Sequence, residues 1–195
     1  FAAGSSHSMF VKNDGTLWGM GRNSNGQLGD GTTVNRVSPV LVSTNVSSVT
    51  ANGNHSLYIK ADGTLWAMGS NSNGQLGDGT TTQRTTPVQV ASGVSYVTAG
   101  DTHSAFVMTD STLWAMGANI GGQLGDGTST QRTLPVKIAS GVHTVDAGWL
   151  HTVFLKKDGT LWGTGRNIEG QLGNNAGTHS STPVHIASGV LDAAA

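Results

Sequence analysis

The histidines at 7, 55, 103 and 151 are 48 residues apart every time, and their surroundings repeat with them. Asp14-Gly15-Thr16-Leu17-Trp18 returns as Asp62-Gly63-Thr64-Leu65-Trp66, then as Asp110-Ser111-Thr112-Leu113-Trp114, then as Asp158-Gly159-Thr160-Leu161-Trp162. The chain is four copies of one unit with three residues over. A fixed period of this length implies stacked supersecondary units, each unable to bury its apolar face alone. Residues present in every copy therefore read as scaffold. Residues that break the repeat are where a specific function would sit.

Composition narrows the function classes. Charged residues make up 11% of the chain and the net charge is −1, which does not favour a surface that tracks phosphates with clustered Lys and Arg. No cysteine is present, so no disulfide framework or thiolate chemistry is available. No apolar run reaches the roughly 18 residues of a membrane span. The chain enters mid-pattern at Phe1, as a piece of something longer would. Its Ser, Thr, Asn and Gly richness leans towards a secreted or cell-surface bacterial repeat protein.

Each unit reads as four short strands. Ser8 to Lys12 is apolar and partly β-branched, and Asn13-Asp14-Gly15 is a hairpin turn signal. Thr16 to Met20 is the return strand, Pro39 to Val42 the third and Val46 to Ala51 the fourth. No segment carries a 3.6-residue period, so the chain is expected to be all-β. Four antiparallel strands per repeat is the pattern of a β-propeller blade. The chain is then one propeller domain over 1–195, with repeats at about 1–48, 49–96, 97–144 and 145–192 and a further strand starting at 193–195. The expected blade core is Phe10, Leu17, Trp18, Leu28, Val40, Val42 and Val49, with their counterparts.

The segment from Gly19 to Gly31, with its Gly-Arg-Asn-Ser-Asn-Gly-Gln-Leu-Gly core, and Ala99-Gly100-Asp101-Thr102-His103-Ser104 with its equivalents resemble the regulator of chromosome condensation repeat family. The resemblance covers the whole chain, in a style closest to long bacterial arrays. It implies propellers that usually have seven blades, of which this chain holds four. Members include a chromatin-bound nucleotide-exchange factor for a small GTPase, ubiquitin-ligase modules and a bacterial protein inhibitor of β-lactamases. The insertions and basic segment of the exchange factor have no equivalent here. One propeller scaffold hosts many activities, so the resemblance specifies fold more than function.

Three closures are open: four blades closed on themselves, two chains pairing head to tail into an eight-blade ring, or an arc of a longer ring. Phe1-Ala2-Ala3 aligns with Val49-Thr50-Ala51, and Val190 to Ala195 aligns with Val46 to Ala51. A terminal strand would thus complete the first blade, in the same chain or a neighbour. A fragment or an assembly is expected ahead of self-closure.

The repeated residues are expected to be structural. His7, His55, His103 and His151 tempt a metal reading, but they fall in different blades and each precedes Ser or Thr, so a hydrogen bond within the histidine's own turn serves as well. Asp30, Asp78 and Asp126 offer calcium one carboxylate per loop where six to eight oxygens are wanted. Trp18, Trp66, Trp114 and Trp162 are expected to be buried. No metal, cofactor or catalytic centre is expected, because every candidate is multiplied by the repeat.

The deviations point elsewhere. The Ala-Gly-x-x-His turns and the long Asn-to-Arg loops leave on one face, the Asp-Gly hairpins on the other. On the first face the x-x pair is Ser5-Ser6, Gly53-Asn54, Asp101-Thr102 and Trp149-Leu150. Trp149 and Leu150, with Asp101, are candidates for a binding anchor. Arg36, Arg84 and Arg132 either grip an acidic partner or pin their own loops, and the fourth copy replaces them with Ser180. The expectation is a non-enzymatic protein-interaction or scaffold module that binds an unidentified protein through this face. Multivalent glycan binding is the alternative. A GTPase-exchange or chromatin role, by family analogy, is disfavoured.

Overall fold

In the computed structural model, which describes residues 1–195, the chain forms sixteen strands in four antiparallel sheets. The first sheet holds β1 (Ala2–Ala3), β2 (His7–Val11), β3 (Leu17–Gly21) and β4 (Arg36–Ser43). The second holds β5 (Val46–Asn52), β6 (His55–Lys60), β7 (Leu65–Gly69) and β8 (Arg84–Ala91). The third holds β9 (Val94–Ala99), β10 (His103–Met108), β11 (Leu113–Gly117) and β12 (Arg132–Ala139). The fourth holds β13 (Val142–Ala147), β14 (His151–Lys156), β15 (Leu161–Gly165) and β16 (Ser180–Ala187). Each sheet is a meander in chain order, the arrangement of a propeller blade, and none closes into a barrel. No helix is long and apolar enough to cross a membrane.

Register is the same in all four blades. The middle strands set an aromatic ring directly opposite the repeat tryptophan: Phe10–Trp18, Tyr58–Trp66, Phe106–Trp114 and Phe154–Trp162. Such cross-strand pairs are the unit of sheet stabilisation. The outer strand starts earlier than its Pro suggests. Pro39 lies inside β4, at a bulge where pairing skips from Val40–Gly19 to Arg36–Gly21. An edge strand with a bulge is the one place in a sheet where a residue lacking N–H does little harm.

The core lies between blades rather than within them. Met9, Leu17 and Leu28 of the first blade meet Val46, Ala51, Tyr58 and Met68 of the second. Equivalent clusters join the second blade to the third and the third to the fourth. Four blades with three seams make an open arc whose innermost strands, β1, β5, β9 and β13, pack in succession. This arrangement explains where the expected core residues part company. Leu17 and Leu28 are fully buried. Phe10 is only half-buried, although Tyr58, Phe106 and Phe154 at the same position are buried, because no blade lies on its far side. Val40, Val42 and Val49 are half-buried as well, the first two on an outer strand covered from one side. The tail continues the pattern: Val190 N–H donates to Gly159 O as Val46 N–H does to Gly15 O. Beyond it lies no strand.

Candidate functional site

The repeat histidines sit at the seams. His55 Nε2 lies 2.9 Å from Ser104 Oγ of the next blade, and that hydroxyl donates to Gln75 O at 2.8 Å. His7 pairs with Ser56, which donates to Gln27 O, and His103 pairs with Thr152, which donates to Gln123 O. Because each hydroxyl gives its own hydrogen to a carbonyl, the imidazole must donate to it from Nε2. Nδ1 is then the unprotonated nitrogen, and in these three histidines it is buried without a partner. A proton added there would be a buried charge with nothing to face. Desolvation accordingly lowers the pKa of His7 to about 4, of His103 to about 4 and of His55 to about 3. The expected bond within the histidine's own turn is therefore a clasp across blades. What the own turn contributes is space: a Cβ on Gly100 would lie 2.3 Å from His103 Cε1, and Gly4 and Gly148 are as tight against His7 and His151. No group of three or more His, Cys, Asp or Glu converges anywhere. The fourth histidine, His151, has no following blade and is half-buried.

The repeat tryptophans are half-buried rather than buried. Each indole N–H donates to the Thr Oγ1 two residues earlier, at 2.9 Å. Lys12, Lys60 and Lys156 place ammonium groups 4.1–4.7 Å from the ring centroids of Trp18, Trp66 and Trp162. Those three rings are engaged on one face by a cation.

The Ala-Gly-x-x-His turns and the Asn-to-Arg loops do share a face: Arg22 N–H donates to Ser6 O, Ser70 to Asn54 O, Ala118 to Thr102 O and Arg166 to Leu150 O. In the first three blades the loop is locked by its aspartate. Asp78 Oδ1 accepts from Asn71 Nδ2 and from the N–H and hydroxyl of Thr80, and Oδ2 accepts from Arg84 Nε at 2.6 Å. Asp30 with Arg36 and Asp126 with Arg132 repeat this set. Burial opposes ionisation of these carboxylates, but the bonds from Thr, Arg and Asn outweigh it and their pKa values are lowered. With its oxygens filled by protein donors, none is left open for calcium. Arg36, Arg84 and Arg132 thus ion-pair with their own loops while about a third of each side chain stays exposed.

The fourth loop differs. Asn174 replaces the aspartate and accepts only from Asn167 Nδ2 and Ala176 N–H. Ser180 replaces the arginine and turns to Thr182 O. Next to this loop stands Trp149, 61% exposed. Its Nε1 donates to Asp101 Oδ2 at 3.2 Å, and the Arg166 guanidinium lies 5.5 Å from its ring centroid. Arg166 is held in turn by Glu169 at 2.6 Å, which keeps the Glu169 carboxyl at about 2. Leu150 stands where Asn54 accepts from Gln27 Nε2. Beside Leu150 the Gln123 Nε2 is buried with no partner, while its Oε1 accepts from Gly121 N–H.

The structure therefore brings Trp149, Leu150 and Asp101 together, while the three arginines belong to separate blades. Three further groups escaped the sequence reading: Arg166, and the exposed Ile120 and Ile168. Both isoleucines occupy a position that is Ser24 and Ser72 in the first two copies. That swap, serine to isoleucine at an exposed loop position, was the available signal. Gly121, beside Ile120, packs close to Leu150 O and Arg166 N.

A family model for the RCC1-like domain matches residues 1–194. Among solved structures, human WBSCR16 is 25% identical with a TM-score of 0.85, over 95% of this chain and 52% of that one. Prp20p from Saccharomyces cerevisiae, in a structure described with its binding to Gsp1p and histones, is 22% identical with a TM-score of 0.83, over 96% and 50%. Yeast RCC1 bound to Kap60 is 21% identical with a TM-score of 0.82, over 96% and 48%. The chain spans about half the length of these proteins. No curated protein sequence matches it. These three structures come from human and yeast, so they lend no support to the expected bacterial, cell-surface setting.

Proposed function

The chain belongs to the RCC1-like domain family, and from that premise we propose that it is a non-enzymatic protein-interaction module whose partner docks on the loop face of the third and fourth blades. The observation that carries this reading is the Trp149 turn. A large aromatic stands in solvent but is held in place by Asp101 and Arg166, so little side-chain entropy remains to be lost on docking. Leu150 beside it offers no acceptor to the buried Gln123 Nε2, a cost of about 1–3 kcal/mol that the fold does not recover. Ile120 and Ile168 add apolar surface at the same level, and aromatic anchors ringed by such contacts are the usual energetic centre of an interface. Asp101 positions the anchor and Arg132 extends the polar rim, while Arg36 and Arg84 lie on the first and second blades, outside this footprint. Prp20p, the yeast RCC1, is a protein of this fold described with protein partners in both of its structures, which agrees with the reading. Multivalent glycan binding is less well supported, because lysines occupy one face of three of the repeat tryptophan rings.

The test is a protein array and a glycan array probed with the chain and with Trp149→Ala, with Gsp1p and core histones among the proteins. The reading expects protein hits that weaken about tenfold or more in the variant. Hits that are indifferent to Trp149, Leu150, Asp101 and Ile120 substitutions would overturn it, as would weak multivalent signals confined to glycans.

A further inference from the structure

The three seams open outwards between the outer strands, and the repeat lets each mouth be compared with the other two. The wall from the preceding blade is apolar every time: Val42, Val90 and Ile138. The wall from the following blade is a repeat tryptophan (Trp66, Trp114 or Trp162) and the residue two places beyond the aromatic that faces it. That residue is Lys60 in the second blade and Lys156 in the fourth, each with its ammonium over the indole ring. In the third blade it is Met108.

A second break in the repeat falls on the same spot. The residue before the outer-strand proline is Ser38, Thr86 and Thr182 in the other copies and Leu134 in the third. Its place in the fold is unchanged. Leu134 stands beside Gly79 of the preceding blade's loop, as Thr86 stands beside Gly31 and Thr182 beside Gly127. With Val90, Phe106, Trp114 and Pro135, Met108 and Leu134 line a cavity of about 330 Å³ that has no polar side chain in its wall. Leu134 is 59% exposed at its mouth. Trp66 and Trp162 line no cavity.

Charge says what fits there. The hairpin aspartate of every blade is held ionised first by its own threonine and also by a nearby lysine. In three blades that lysine is Lys12, Lys60 or Lys156, the same side chain that covers the indole. In the third it is Lys137, exposed on the outer strand opposite Trp114. Asp110 therefore already has its cation, and Lys137 would repel another. The buried polar atoms that lack partners belong to His7, His55, His103 and Gln123, none of which lines the cavity. An occupant is thus uncharged and finds no hydrogen bond inside. The cavity is at the small end of the roughly 300–1,000 Å³ typical of small-molecule sites. We propose that this socket binds a small uncharged aromatic or hydrocarbon molecule, which lies on Trp114 where the other blades lay a lysine. Met108 supplies an adaptable, polarisable wall suited to contact with a ring. The site shares no residue with the Trp149 turn.

The experiment titrates indole into the chain labelled at its methionine methyl groups and follows the carbon and proton spectra. Five methionines report, and the expected result is a saturable shift of Met108 alone. Saturation transfer from protein to indole gives a second reading that does not need Met108. Two variants restore the repeat and so keep the fold that the other blades already show: transfer should weaken in Leu134→Thr and be lost in Met108→Lys. The same titration is run with n-butylammonium and with N-acetyltryptophanamide. Tighter binding of the ammonium would mean that the ring takes a cation, and tighter binding of the amide that it takes a protein's side chain; either overturns the proposal. So does a Met108 methyl that stays still up to the solubility of indole, or transfer that is unchanged in Met108→Lys.

Discussion

The first three loops and the fourth are built on the same strands and have opposite designs. In the first three, an aspartate takes protein donors on both oxygens and an arginine closes the loop. In the fourth, asparagine and serine stand in for both, and the neighbouring turn carries Trp149 and Leu150. Where the repeat is kept, side chains spend their hydrogen bonds on each other. Where it is broken, an aromatic faces solvent and the buried Gln123 Nε2 goes without a partner. Repetition thus marks what holds the blades together, and its loss marks side chains released from that task.

The largest effect that would sharpen this contrast is that of pH. His7, His55 and His103 have folded pKa values of about 3 to 4 against an ordinary 6.5. Below 6.5 the unfolded chain binds protons that the seams refuse. The stability that neutral histidines contribute is therefore complete above about pH 6.5 and is lost as pH falls towards 4, at up to about 1.4 kcal/mol per pH unit for each histidine. Urea unfolding at stepped pH should give this slope, with the seams failing before the loops, because Asp30, Asp78 and Asp126 stay ionised below the ordinary carboxylate value. A flat profile between pH 6.5 and 4 would remove the seam clasp from the account.

Next in size is a matched pair of substitutions. His103→Ala opens a seam and takes away the donor to the Thr152 hydroxyl oxygen, at a cost of about 2–4 kcal/mol. His151→Ala, at the same repeat position but with no seam beyond it, should cost under about 1 kcal/mol when assayed at a concentration where the chain is a single copy. Smaller again, Asp78→Ala frees Asn71 and Arg84 together and should cost about 2 kcal/mol. Asn174→Ala in the fourth loop should cost clearly less in the same denaturant assay. Equal losses within either pair would break the comparison.

Much of the fold was legible in the sequence. The 48-residue period, the Asp-Gly hairpins and the absence of helical periodicity lead to four-stranded blades, and strand order places the turns and long loops on one face. What was not legible depends on neighbours. Phe10 and Phe106 occupy the same repeat position, and only the presence of a preceding blade separates half-buried from buried. The histidine clasp joins residues 49 apart, so no local window contains it. Pro39 suggested the start of a strand because its bulge, which absorbs the missing N–H, is invisible without the pairing partner Gly19. The site was half legible. Trp149 and Leu150 stood out as breaks in the repeat. Ile120 and Ile168 are equally clear breaks once aligned with Ser24 and Ser72, but they lie in a segment dominated by glycine.

The central claim, that recognition sits where the repeat is broken and at the fold's expense, is tested most directly by grafting the second copy's turn onto the fourth with Trp149→Gly and Leu150→Asn together, since Asn54 accepts from Gln27 Nε2. Unfolding free energy and array binding are then read on the same protein. The account predicts a chain at least as stable as the original, with Gln123 given a polar neighbour, and with its protein binding lost. A grafted chain that is less stable, or that binds as before, would contradict it.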